Sequence, residues 1–145
     1  MGVRKALAFA RSKADIMRTP LNAAGAFIEF YSGTPPATAD TALSGNTILC
    51  NITLLANSFA NQSDIEGLFS NTVQLPDSTP AVAGTVSFLR VYTSAAKTTT
   101  IFQDVAPSIA SAANEPGGGT DITGGVALAA GTRIQYAIGQ FTYRG

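Results

Sequence analysis

The chain has 145 residues, 46% of them hydrophobic, which is enough for one domain with a real core and no covalent staples. Only 12% are charged, against about 25% in typical soluble domains, so much of the surface is expected to meet protein instead of water. Net charge is zero but unevenly spread: residues 1–18 hold five of the nine cations and one of the nine acids. A basic N-terminal segment therefore precedes a mildly acidic body. There is no histidine, so the commonest general base and metal ligand are missing, and Ser-His-Asp and Cys-His arrangements are excluded.

Cys50 is the single cysteine. It permits no intrachain disulfide and reads as a small buried hydrophobe. No run reaches the roughly 20 apolar residues of a membrane span, and Arg11 and Lys13 interrupt the apolar stretch after Ala6 before a signal-peptide core forms. Ala6 stands where a myristoylation motif needs Ser or Thr.

Along the chain, Val3, Leu7, Ala10, Ala14 and Met17 recur at helical spacing, with Arg4, Lys5 and Arg11 off that stripe. The pattern predicts a short amphipathic helix that ends at Thr19-Pro20, because proline pushes its predecessor out of the helical region. Such a helix either packs on its own domain or reaches a neighbour as an arm. An acidic protein patch suits its cations better than nucleic acid, for which stacking partners other than Phe9 are lacking.

From residue 21 onward the pattern changes to short strands separated by turn formers. Ala24–Tyr31 places Phe27, Glu29 and Tyr31 on one face and Ala26, Ile28 and Phe30 on the other. Thr47–Leu55 alternates similarly, and both are expected to be half-buried. Thr85–Thr93 and Thr99–Val105 form a hairpin through Ser94-Ala95-Ala96-Lys97. Leu68–Leu75, Gly125–Ala129 and Thr132–Tyr143 complete a set of about seven or eight strands. The expected fold is all-β, an antiparallel sandwich or jelly roll. Residues 1–20 form the basic helix or arm and residues 21–145 the β-sandwich domain.

Sites for chemistry are sparse. Gly117-Gly118-Gly119 lacks the Gly-Lys-Ser/Thr of a phosphate loop and reads as a turn. Asp64 and Glu66 would share one face of a strand, as a glycosidase pair requires, but no aromatic platform surrounds them and a solvated turn explains them. Asp40 is the one acid in the long loop after Tyr31, too few for calcium. The expectation is a non-enzymatic protein with no catalytic residue, metal or cofactor.

Between Phe30 and Thr47 the chain reads Phe-Tyr-Ser-Gly-Thr-Pro-Pro-Ala-Thr-Ala-Asp-Thr-Ala-Leu-Ser-Gly-Asn-Thr. It resembles a widespread group of small proteins encoded by tailed bacteriophages and prophages, in which a Tyr-Ser-Gly-Thr-Pro-Pro segment precedes a leucine-rich strand, here Ile48–Leu54. A Gly-Thr-x-x-Phe/Trp-x-Arg strand follows, here Gly84–Arg90, then a glycine-rich turn (Gly117–Asp121) and a closing strand (Ile134–Tyr143). The likeness covers residues 24–143 and leaves residues 1–20 without a counterpart.

That resemblance implies a virion structural protein, made in the bacterial host cytoplasm and carried on the phage particle. A capsid decoration or cement protein is the first expectation, trimeric and bound to the major capsid protein or other virion proteins, with no membrane and no specific nucleic-acid partner. A neck, tail or fibre component is the alternative, and a carbohydrate-binding module the remote one. The expected contacts are Arg4, Lys5 and Arg11 on the arm and Thr34, Pro35 and Pro36 in the long loop, whose prolines equally serve to stiffen a turn. Phe27, Phe30, Phe88, Tyr136 and Phe141 are expected in the core or an oligomer seam.

Overall fold

A computed structural model describes residues 7–61, 68–71, 76, 78–104, 110–111, 126–135 and 140–142. The fold is all-β, with one helix among the described residues, α1 (Leu7–Leu21). The strands are β1 (Phe27–Ser32), β2 (Thr47–Thr53), β3 (Phe59–Asn61), β4 (Leu68–Asn71), β5 (Gly84–Val86), β6 (Phe88–Tyr92), β7 (Thr100–Asp104), β8 (Ala110–Ser111), β9 (Val126–Leu128), β10 (Ile134–Gln135) and β11 (Gln140–Thr142). All described pairings are antiparallel. A four-stranded sheet runs β2-β1-β6-β7 and a three-stranded sheet β11-β4-β3, with two-stranded pairs β10-β8 and β5-β9.

The core grows from the period-2 alternation of the central sheet. Ile52, Ile28, Val91 and Phe102 are register partners across its four strands, and Cys50, Phe30 and Leu89 form the next row on the same face. Leu21, Leu54, Phe59, Val86 and Leu128 close over this face from other elements. Burying each such side chain contributes roughly 1.5–3 kcal/mol, so this face anchors the fold. Cys50 is buried within it, and burial pushes its thiol up to about 11, against a smaller opposing effect of a hydrogen bond with Ser78.

Three sequence expectations need correction. The helix does not stop at Thr19-Pro20: Pro20 lies in its last turn and Leu21, 1% exposed, enters the core. Proline there gives up the hydrogen bond to the Ile16 carbonyl and crowds it, a cost of about 3 kcal/mol, which the burial of Leu21, worth roughly 1.5–3 kcal/mol, largely offsets. Asn22 N–H then closes the helix on the Arg18 carbonyl at 3.0 Å. Expected residues 3–6 lie outside the described part.

The Thr85–Thr93 strand is two strands in different sheets. Ser87 N–H turns to the Tyr31 carbonyl at 2.8 Å, between β5 paired with β9 and β6 paired with β1. Likewise, Thr132–Tyr143 is represented by β10 and β11 in different sheets, with residues 136–139 outside the described part. The hairpin at Ser94–Lys97 forms as expected, with Lys97 N–H on the Ser94 carbonyl at 3.0 Å.

The third correction concerns β1, which is not half-buried. Phe27, Glu29 and Tyr31 are as inaccessible as Ile28 and Phe30. Over the Arg90 and Gln103 side of this second face lies the long connection between β1 and β2, residues 33–46, here called the strap, while Lys97 of the β6–β7 hairpin meets Glu29.

Candidate protein-docking surface

The face beneath the strap carries a polar row. Asn51, Glu29, Arg90 and Gln103 are register partners across β2, β1, β6 and β7. Ionised side chains this deep require partners, since an unpaired buried charge is prohibitively costly. Glu29, 2% exposed, accepts from Lys97 Nζ at 2.7 Å and from the Tyr31 hydroxyl. Tyr31 is in turn 2.8 Å from the Tyr92 hydroxyl and stacks on Phe88 with ring centroids 4.9 Å apart. With its own proton given to Glu29, Tyr31 accepts from Tyr92. Burial above all, with the Glu29 hydrogen bond next, pushes the Tyr31 hydroxyl far above its ordinary value, so it stays protonated.

Arg90, 4% exposed, turns the other way. Its Nε donates to Gln103 Oε1 at 2.9 Å, and one Nη2 reaches the carbonyls of Thr41 at 2.6 Å and Thr38 at 3.2 Å. Gln103 Nε2 donates to the Pro36 carbonyl at 2.9 Å. At the strap's ends, the Ser87 hydroxyl donates to the Gly33 carbonyl at 2.5 Å, and Asn46 Nδ2 to the Thr34 carbonyl at 2.9 Å. Gly33 has φ of +98°, and a Cβ there would sit 3.0 Å from Asn46 Nδ2, which is why the motif needs glycine at that turn.

The strap is thus a long segment without regular structure whose carbonyls at residues 33, 34, 36, 38 and 41 all accept bonds from side chains of β6, β7, Ser87 or Asn46. Outward it presents Ala37, Thr38, Asp40, Thr41, Ala42, Leu43 and Ser44, with one charge among them. Loops of this length in compact domains are functional or disordered, and here the pinned carbonyls supply the order.

Of the residues singled out from sequence, Thr34 is exposed and Pro35 and Pro36 are half-buried, all three on the strap. Arg11 lies on α1, far along the chain from the strap, and Arg4 and Lys5 lie outside the described residues, as do Asp64, Glu66, Tyr136 and the Gly117–Gly119 turn. Phe27, Phe30 and Phe88 are buried, and Phe141 lies on β11. Sequence reasoning missed Arg90, Gln103 and Lys97. Part of the signal was available: Arg90 and Lys97 are two of only four cations after residue 18, and Arg90 lies between Phe88 and Tyr92 on one strand.

A concavity of about 360 Å³ lies at the Asn51 end of the polar row, lined by residues that include Asn51, Thr53, Leu55, Ser78, Thr79 and Arg133. Arg133 donates to the Ser78 carbonyl at 3.0 Å, and no aromatic ring among the described residues lines the groove as a platform for a sugar. Among the described residues no three of His, Cys, Asp and Glu gather as a metal site, and no helix is long and apolar enough to cross a membrane. No protein-family model matches the chain, and no curated protein and no solved structure matches it either.

Proposed function

We propose that this chain is a non-enzymatic structural protein of a tailed-bacteriophage particle, a cement or decoration protein that binds the assembled head shell. The observation that carries the reading is the strap. The segment with the Tyr-Ser-Gly-Thr-Pro-Pro motif is held on the sheet by buried side chains while its outer face is nearly uncharged. Fixing a residue's backbone costs about 1–2 kcal/mol, and a surface ordered before contact does not incur that loss on binding. A pre-ordered face with a single charge, Asp40, suits association with protein.

A ligand that binds only the assembled shell stabilises it by its binding free energy. A homotrimer seated where shell subunits meet would add several weak contacts into one strong attachment. Arg4, Lys5 and Arg11 serve as further contacts in this reading.

The test is to locate the chain in purified particles by mass spectrometry of genome-filled heads and isolated tails. We expect it in heads, and adding it back to heads lacking it should raise their thermal disruption temperature. Presence in tails alone would shift the assignment to a tail or neck component.

A further inference from the structure

We infer that Lys97, in the hairpin between β6 and β7, decides whether the strap is fastened. By holding Glu29 it leaves Arg90 free to grip the strap; when its amine is withdrawn, Arg90 turns to Glu29 and the strap is released. The coupling lies within the chain and goes beyond the proposed role in a particle.

Glu29 and Arg90 are register partners on adjacent strands, and side chains so placed leave the sheet with Cβ atoms about 4.5–5.5 Å apart. Even so, Glu29 bonds to Lys97 Nζ at 2.7 Å and to the Tyr31 hydroxyl. Arg90 gives Nε to Gln103 and Nη2 to the carbonyls of Thr38 and Thr41. One carboxylate thus lies beside two cations and is bonded to the more distant in sequence, so the three charges have an alternative pairing.

The two pairings differ in what they leave behind. With Lys97 in place, every charged group of the row is bonded. Without it Glu29, 2% exposed, keeps only the Tyr31 hydroxyl, too little for a buried carboxylate. Arg90 is the cation next to it, and a guanidinium bonds a carboxylate more strongly than neutral carbonyls. Turning to Glu29 takes Nη2 from Thr38 and Thr41 and Nε from Gln103, which then loses the bond that steadies its own contact with the Pro36 carbonyl. The ties at residues 36, 38 and 41 let go together, while those at Gly33 and Thr34 remain.

Lys97 suits the controlling position because its side chain is 36% exposed, whereas Arg90 is 4% exposed. Chemistry at the surface reaches the first and not the second. Acylation of the Lys97 amine, which removes its charge, therefore unfastens a segment on the other side of the polar row.

The experiment uses the full chain. Thermolysin, which cuts before accessible leucine, reads the strap at the Ala42–Leu43 bond, and amide exchange in β1 and β6 reads the sheet. Lys97→Met should be nicked about tenfold faster than wild type with both strands still protected. Lys97→Met combined with Glu29→Gln should return to the wild-type rate, because no carboxylate remains to draw Arg90 away. A wild-type rate in Lys97→Met would overturn the coupling, since Glu29 would then be satisfied where it stands. Fast nicking that persists in the double variant would overturn it as well, the strap then loosening without Arg90 turning.

A reciprocal measurement keeps all three charges and decides the matter even if Lys97→Met does not fold. Coupling free energy acts in both directions, so Gln103→Ala, which frees Arg90 Nε for Glu29, should loosen Lys97. Acetylation of Lys97 by an amine-reactive ester, followed by peptide mass spectrometry against Lys5 and Lys13, should then be several-fold faster than in wild type. Unchanged labelling of Lys97 in that variant would overturn the proposal.

Discussion

Glu29 and Arg90 stand directly opposite each other on adjacent strands of one sheet face, yet each spends its hydrogen bonds elsewhere. Glu29 bonds to Lys97 and Tyr31, and Arg90 to Gln103 and the strap. Opposite charges side by side in the interior moderate each other's burial cost, which frees Arg90 to use its donors on neutral carbonyls. The pair is thus a foundation on which a long irregular segment can be built. The strap's order depends on side chains of the sheet together with its own Asn46, which holds the Thr34 carbonyl.

Removing the partner of Glu29 should be costly. Lys97→Met is expected to destabilise the fold by about 2 kcal/mol, less than the loss for a fully buried pair because Lys97 is 36% exposed and water can partly replace it. Urea unfolding of the variant measures this. A value within error of zero would mean that Tyr31 alone satisfies Glu29. Lys97 also has φ of +56°, so Lys97→Gly should lose somewhat less, the relief of backbone strain offsetting part of the missing ion pair.

Gly33→Ala is expected to lower stability by about 1–2 kcal/mol, since φ of +98° is unfavourable for any L side chain and the new Cβ would crowd the Asn46 amide. Exchange at Gly33 and Thr34 should increase more than exchange in β1. Equal loosening of both would indicate that the turn has no local role.

The helix is tied to the body by Asn22, whose side chain donates to the Phe59 carbonyl and accepts from the Phe59 N–H, each at 2.8 Å. Asn22→Ala should cost about 1–3 kcal/mol. Deleting residues 2–18 removes Met17, which packs on the core, but leaves Leu21 and Asn22 in place. The truncated chain should remain folded by circular dichroism with a lowered Tm. Loss of the β signal would make the helix indispensable to the core.

Alkaline pH should weaken the fold in two steps. Both Cys50 and Tyr31 hold their protons more tightly folded than unfolded, so their contributions are complete below the unfolded values and fade as pH rises. Cys50, ordinarily near 9.0 and raised to about 11, accounts for a loss of about 2–3 kcal/mol across that interval. Tyr31 begins to contribute its loss above about 10, its ordinary value. Chemical denaturation from pH 8 to 12, compared with Cys50→Ala and Tyr31→Phe, separates the two. A Cys50→Ala curve parallel to wild type between pH 9 and 11 would contradict the first step.

The period-2 alternation of residues 26–31 was readable and assigned the two faces of β1, but in β2 it placed Ile48 with Cys50 and Ile52, whereas a register shift at Phe30/Tyr31 sets Ile48 opposite Tyr31, exposed, and sends Leu49 into the core. The absence of helical periodicity after residue 21 and the turn formers between strands established an all-β body. Short elements escaped notice: β3 and β8 cover three and two residues, too few for a periodic pattern to register. The split at Ser87 was equally hidden, because an unbroken strand pattern does not reveal that its two halves pair with different partners.

Sequence by itself determined the class of fold, the buried state of Cys50, the hairpin at Ser94–Lys97 and the lack of histidine chemistry, because these follow from local pattern and composition. Only tertiary structure decided that Glu29, Tyr31 and Arg90 lie inside and that the strap is pinned. Alternation distinguishes two faces of a strand but not which of them water reaches. That is set by contacts between residues 49 to 67 positions apart, Arg90 with Thr41 and Gln103 with Pro36 among them. Such contacts exist only once the sheet has brought β6 and β7 beneath the strap.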